Sequence, residues 1–322
     1  MLFYGEYQEW LIVLSLITFV ALYWYLLILL GFATTDEVNQ MTGEKQVVID
    51  SHETAVFERL YEKYLKSIMD IVQHDDPLQQ KAKEMLSKIL IDSRQTYPHI
   101  GTNFGKWRTI VYRSSEPQPI RALASGVIYI PSFLIENLSD DELAFLMSHA
   151  AASVLLDTQR KKYARTAIDD LAFLTVMSVV GFVQQPIYGY LFALEYNIIQ
   201  SYFETAPADQ KEVLLADKYA LEFTARACYD IRKIPVYFAK LAEIEQQAGV
   251  GRGLHKVKTA IKSEPTFERR RQNIMNHLEE AMKIYKDSGC PKLNPENDPI
   301  VDYEIEEFEK NREQRKNSRN EL

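Results

Sequence analysis

The feature that most restricts how this chain can fold is an uncharged, apolar run near its N-terminus. No charged side chain occurs between Glu9 and Asp36, in the stretch WLIVLSLITFVALYWYLLILLGFATT. About 20 apolar residues are enough to cross a bilayer as a helix, so we expect one transmembrane helix over 10–33. A cleaved signal peptide is the alternative. Signal peptides, however, have a shorter apolar run that follows basic residues, and residues 1–9 contain no Lys or Arg. The same lack leaves the orientation of the helix open.

Three aromatic residues lie deep within this run. Tyr23, Trp24 and Tyr25 begin 13 residues after Trp10, which is ~20 Å along a helix and well inside a ~30 Å hydrocarbon core. Hydroxyl and indole donors find no water at that depth. We therefore expect the trio to pack against other membrane-protein subunits, with a tilted helix that brings them to the interface as the alternative.

Charge and cysteine usage exclude two classes of site. The net charge of −8 and the pI of about 5.4 give a nucleic-acid partner no electrostatic attraction. The chain has two cysteines, Cys228 and Cys290, and no CxxC pair. We therefore expect neither a structural disulfide nor a cysteine-ligated zinc ion.

The chain divides by composition into five segments. We expect an N-terminal tail over 1–9, the transmembrane helix, a linker over 34–55, a domain over 56–290 and a charged tail over 291–322. Within the domain, the apolar stretch 171–203 is interrupted by Gln184, Gln185 and Pro186, and each half is too short to span a bilayer. It predicts a hairpin that is buried in the domain or touches the membrane surface.

Periodicity predicts a mostly helical α+β domain with a small sheet. The runs Trp107 to Arg113 and Gly126 to Pro131 are typical of strands. Ser139 and Glu142 form a capping box that begins a helix ending near Leu156. The stretch VFERLYEKYLKSIMDIV predicts an earlier helix with one apolar stripe facing the core. That stripe comprises Phe57, Leu60, Tyr61, Tyr64, Leu65, Ile68 and Val72.

Four stretches resemble the HtpX/OMA-type zinc metallopeptidases, membrane peptidases with a zincin-like domain. That family carries a strand segment, an ELA…HExxH helix, a later ExxxAD helix and a THP…R segment, in this order. The matching stretches here are RALASGVIYIPSFLI, DDELAFLMSHAAAS, VLLADKYALEFTARACYD and SEPTFERR. The resemblance implies a zincin-like fold and a zinc site on the HExxH helix.

The residues at the implied zinc site depart from the family pattern. His149 matches the first histidine, but Ala150 stands at the catalytic glutamate and Ser153 at the second histidine. Val213 occupies the position of the third ligand. Glu264 replaces the histidine of the THP segment, whose arginine is matched by Arg270. Because zinc needs several preorganised ligands, we expect no metal and no other cofactor, and a hydrogen-bonded, structural His149.

These substitutions predict a non-catalytic pseudopeptidase, an accessory subunit of a membrane complex. A peptide-binding module is the first alternative, with the cleft capturing extended segments beside an edge strand such as GVIYIP. An active zinc protease with displaced ligands, such as Glu212 or Asp217, is the second. The expected partners are other membrane proteins and the lipid bilayer. The resemblance suggests the mitochondrial inner membrane, with the bacterial inner membrane as the alternative.

Overall fold

The computed structural model describes residues 34–94, 96–97, 107–165, 206–249, 265–294 and 297–303. No helix within these ranges is long and apolar enough to cross a membrane. The expected transmembrane helix, the Tyr23–Tyr25 trio, the apolar hairpin over 171–203 and most of the charged tail lie outside the described residues.

A β-hairpin, rather than an extended linker, follows the apolar run. Strands β1 (Thr34–Val38) and β2 (Lys45–Ile49) pair antiparallel, with Thr34 opposite Ile49. The expectation of a linker over 34–55 is therefore wrong for this stretch.

The hairpin is fixed to the domain by Arg160. Its guanidinium donates to both carboxylate oxygens of Glu37, at 2.7 and 2.9 Å, and to the carbonyl of Ile49 at 2.9 Å. A bidentate arginine–carboxylate pair holds its partner in one orientation, so the chain leaves the apolar run at a defined place on the domain.

A three-stranded sheet forms the centre of the domain. Its strands are β3 (Arg108–Tyr112), β4 (Arg121–Ala122) and β5 (Val127–Pro131), in the order β3-β5-β4. The β3–β5 pair is parallel and the β4–β5 pair antiparallel. Both predicted strands are confirmed, but GVIYIP lies in the central strand, so it cannot be the edge that receives a peptide.

Helices α1 (Ser51–Ile68) and α2 (Pro77–Arg94) cover opposite faces of the sheet. Leu65 of α1 packs with Val127 and Tyr129. The apolar side of α2 packs on Ile128 and Ile130. These two residues alternate with Val127 and Tyr129 along β5 and therefore lie on the other face of the sheet.

The predicted core stripe of α1 is wrong for several of its members. Leu65 and Val72 are buried, whereas Leu60, Tyr64 and Ile68 are exposed. The helix instead buries polar Glu58, whose carboxylate accepts from the backbone N–H groups of Ala124 and Ser125.

Five further helices lie wholly within the described residues: α3 (Ser132–Asn137), α4 (Asp140–Leu155), α5 (Ala206–Arg226), α6 (Lys233–Gly249) and α7 (Phe267–Asp287). Ser139 and Glu142 form the predicted capping box of α4. Helix α5 packs on both α4 and α7. The buried alanines Ala151 and Ala152 permit the close approach of neighbouring helices to α4.

The two cysteines form a disulfide, which corrects the expectation that they would not. Cys228 and Cys290 are joined, with their Cα atoms 5.2 Å apart and a sequence separation of 62. Each cysteine lies just beyond the end of a helix, α5 and α7 respectively. The bond therefore ties the C-terminal ends of these two helices together.

Candidate functional site

The site is built around His149 on α4, which contacts Asp217 on α5. The imidazole Nδ1 lies 2.9 Å from the carboxylate Oδ1 of Asp217. Asp217 is fully buried, whereas the side chain of His149 keeps 21% of its surface exposed. An ionised carboxylate can only accept a hydrogen bond, so Nδ1 carries the hydrogen and Nε2 is the ring nitrogen that faces away from Asp217.

Arg270 on α7 holds the same carboxylate from the other side. Its Nε donates to Asp217 Oδ2 at 2.9 Å, and a terminal nitrogen donates to Oδ1 at 2.6 Å. The guanidinium also lies over the ring of Phe238, 4.6 Å from its centroid. Burial alone would raise the pKa of Asp217, but the Arg270 charge and the hydrogen bond with His149 hold it below its usual range. The cluster therefore keeps a buried, ionised carboxylate behind the imidazole.

The depressed pKa of Asp217 gives stability a defined dependence on pH. A carboxylate with a lowered folded-state pKa stabilises the fold above its unfolded pKa, near 3.8, and loses this contribution as pH falls through the folded value. We expect Asp217→Asn to be less stable than wild type at neutral pH, and the difference to shrink below about pH 4. Urea unfolding of both proteins in mild detergent across this range checks it; a difference independent of pH would contradict it.

The family's other ligand positions lie around this cluster without ligand side chains. Ser153 is one turn beyond His149, and Val213 is one turn before Asp217, so each shares a helix face with its partner. Ala150 is buried in the core. Neither a methyl group nor an isopropyl group binds a metal, and a neutral hydroxyl is a poor zinc ligand.

The displaced ligands considered from the sequence do not complete a metal site. Glu212 forms an ion pair with Lys161 at 2.9 Å and contacts Arg165 at 3.5 Å. Asp217 is engaged by Arg270 and by the inner nitrogen of His149. In the described part of the chain, no three His, Cys, Asp or Glu side chains are grouped to hold a metal ion. The described residues therefore do not fit a zinc ion.

Zinc content is the direct check on this reading of the site. We expect the purified chain to hold far less than one zinc ion per molecule, because Ala150, Ser153 and Val213 replace the family's base and two of its ligands. The double substitution Ser153→His and Val213→Glu, which restores a three-ligand set with His149, should bind zinc stoichiometrically. Elemental analysis of both proteins measures this. About one zinc ion per wild-type molecule would show that ligands come from outside the described residues.

Sequence reasoning located His149 and Arg270 but not the role of Asp217. The aspartate was considered only as a displaced ligand, whereas it orients the imidazole from behind. Hydrogen bonding of a ligand histidine to a carboxylate is common around metal sites, and the AD pair of the α5 motif was the available signal. His149 is hydrogen-bonded as expected, although its side chain is partly exposed rather than buried in the core.

The chain is similar to known peptidases. Residues 94–278, more than half of the chain, match the model described as "Peptidase family M48". The chain is 23% identical over 288 residues to "Metalloendopeptidase OMA1, mitochondrial" of Bos taurus, covering 84% of this chain and 51% of the relative. It is 24% identical over 229 residues to "Mitochondrial metalloendopeptidase OMA1" of Saccharomyces cerevisiae, covering 70% of this chain and 63% of the relative. The chain thus spans about half to under two thirds of these curated relatives.

The comparisons correct the expectation of a non-catalytic accessory subunit. The matched family is one of peptidases, and these relatives are named as metalloendopeptidases. These comparisons therefore support an enzyme and do not support an inactive role for the chain. The resemblance to HtpX/OMA-type metallopeptidases is confirmed: the chain belongs to peptidase family M48.

Proposed function

We propose that the chain is a membrane-associated endopeptidase that acts on polypeptide substrates. The main observation behind this proposal is the His149–Asp217–Arg270 cluster. Its residues come from the three stretches that match the HExxH, ExxxAD and THP…R segments of the family. The family match and the names of the relatives support the same reaction class.

Among the described residues, His149 is the side chain proposed to act as the general base. In the proposed step Nε2 takes the proton of the water that attacks the peptide carbonyl, while the buried carboxylate of Asp217 keeps the hydrogen on Nδ1 and stabilises the imidazolium that forms. Arg270 keeps that carboxylate ionised and fixed in place. The guanidinium donates to both carboxylate oxygens of Asp217, so the proposal gives Arg270 a positioning role and not the stabilisation of a developing oxyanion.

An edge strand beside the site supports a polypeptide as the substrate. Strand β4 has one strand partner among the described residues, β5, and it packs next to α4, the helix of His149. The opposite edge, β3, is covered: Gln79 donates to the carbonyl of Thr109 and accepts from the N–H of Val111, both at 2.9 Å. An extended segment that adds to this sheet would therefore pair with β4, beside the helix that carries His149.

The proposed location is a mitochondrial membrane, with the domain in a compartment that permits disulfides. The relatives are named as mitochondrial, and the Cys228–Cys290 bond is typical of an oxidising compartment. The uncharged run over residues 10–35 supports a single transmembrane anchor in the inner membrane.

Cleavage of an unfolded protein such as casein by the purified full chain in mild detergent tests the proposal. We expect His149→Ala to lower the rate by about 100-fold or more, the usual contribution of a general base. The matched control is His277→Ala on α7, which should leave the rate unchanged. Equal rates for wild type and His149→Ala, or no cleavage by wild type above a buffer blank, would contradict the proposal. Zinc content measured on the same preparation assigns any activity to the chain alone or to a bound metal.

A further inference from the structure

Helix α1 presents an apolar surface on the side that faces away from the sheet. Its inner side is held by Leu65 in the core and by Glu58 against the backbone of Ala124 and Ser125. The apolar residues of the outer side are all exposed to solvent, with Leu60 the most open at 65%. We name them the α1 outer face: Val56, Leu60, Tyr64 and Ile68.

The α1 outer face is a continuous stripe bordered by basic residues. Its members are spaced by four, so they drift by ~40° at each step and cover about a third of the helix circumference. Arg59, Lys63 and Lys66 occupy the adjacent sector. Lys66 pairs with Glu62 at 2.7 Å, whereas no ion pair of Arg59 or Lys63 occurs among the described residues. An apolar stripe beside a basic stripe is typical of helices that lie in a membrane interface.

Tyrosines flank the same surface. Tyr61 and Tyr64 stack with ring centroids 6.3 Å apart. Tyr163, also exposed, lies beside them: burial, then the Glu58 carboxylate and then Tyr61, raise its pKa. Tyrosine is enriched where a membrane meets water, because its ring is apolar and its hydroxyl is wet.

The two apolar runs of the chain join the domain next to α1. Thr34, at the end of the N-terminal run, is paired with Ile49, and α1 begins at Ser51. Arg160 donates to the carbonyl of Ile49, and the helical segment 158–165 that carries it leads into the second apolar run, 171–203. The outer face is therefore attached to the parts of the sequence with the strongest preference for a bilayer.

We propose that the α1 outer face docks on the lipid bilayer, with its apolar stripe among the headgroups and Arg59 and Lys63 on anionic lipid phosphates. This goes beyond the proposed peptidase function, because it fixes how the domain lies on the membrane. The inference rests here on the N-terminal anchor of the proposed function, which would keep the face near the bilayer at high effective concentration, so that a short apolar stripe is enough for binding. Arg160 donates to Glu37 in β1 and to the carbonyl of Ile49 in β2, so the hairpin before α1 is held against the domain.

Spin labelling of the full chain in liposomes tests the docking. A nitroxide is placed at Leu60→Cys; the native cysteines are joined to each other, so only the new thiol is labelled. The matched control is Ile91→Cys on α2, which is 60% exposed against 65% for Leu60 and lies across the sheet. The liposomes contain phosphatidylcholine with phosphatidylglycerol, and collision rates with oxygen and with a water-soluble nickel complex are measured.

We expect the Leu60 label to collide with oxygen several-fold more often, relative to the nickel complex, than the Ile91 label does. The double substitution Arg59→Glu and Lys63→Glu should reduce this difference without moving the Ile91 value. Equal accessibility of the two labels would overturn the proposal. A Leu60 label shielded from nickel without oxygen enrichment, and with line broadening that vanishes on dilution with unlabelled chain, would place a second copy on this face and overturn it as well.

Discussion

Replacing Arg270 with methionine is expected to lower the free energy of unfolding by about 3–5 kcal/mol, the usual cost of removing one partner of a buried ion pair. The reason is Asp217, whose side chain has no exposure to solvent and whose two oxygens both accept from the guanidinium. Without Arg270 the buried carboxylate keeps only its hydrogen bond with His149, or it takes up a proton and weakens that bond. Both outcomes are unfavourable, so the midpoint of urea unfolding should fall sharply.

Arg271 provides the matched control for this experiment. It is the next residue on α7 and also forms an ion pair, with Glu268 at 3.2 Å, but both side chains are partly exposed. Exposed pairs contribute about 0–1 kcal/mol, so Arg271→Met should change stability little. In an Asp217→Asn background the Arg270→Met change should also cost less, since no buried charge is left unpaired. Similar losses at positions 270 and 271 would show that Asp217 does not depend on Arg270.

Features set by local sequence were the ones that could be predicted. The capping box of α4 depends on Ser139 and Glu142, which are three residues apart, and it is present as expected. The two strand runs are rich in β-branched and aromatic residues, and both form strands of one sheet. The later helix that the resemblance implies for VLLADKYALEFTARACYD is also present, as α5 (Ala206–Arg226).

Features that depend on distant contacts were missed. Helix α1 has apolar residues on two sides, and its periodicity alone does not say which side faces the sheet. The choice is made by Glu58, which caps backbone N–H groups at Ala124 and Ser125, 66 and 67 residues away. The same limit applies to the site. The sequence pointed to His149 and Asp217 separately, but their contact depends on how α4 packs against α5.

The disulfide gives the second large expected effect. Cys228 and Cys290 close a loop of 62 residues, for which the chain-entropy model gives a stabilisation of about 4 kcal/mol. We expect the Cys228→Ser, Cys290→Ser double variant to melt on the order of 10 °C below the oxidised wild type. Thermal unfolding followed by circular dichroism in mild detergent measures this. Reductant should lower the melting temperature of wild type to that of the variant and leave the variant unchanged.

The disulfide and the Asp217–Arg270 pair join the same two helices, α5 and α7, yet their effects should be independent. The ion pair acts on the folded state, whereas the cross-link acts mainly by restricting the unfolded chain. Asp217 is also 11 residues from Cys228, or ~16 Å along a helix. We therefore expect the losses from Arg270→Met and from the double serine variant to add within about 0.5 kcal/mol. A combined loss well below the sum would mean that the disulfide stabilises the fold by holding α7 and Arg270 against Asp217, rather than through the unfolded state.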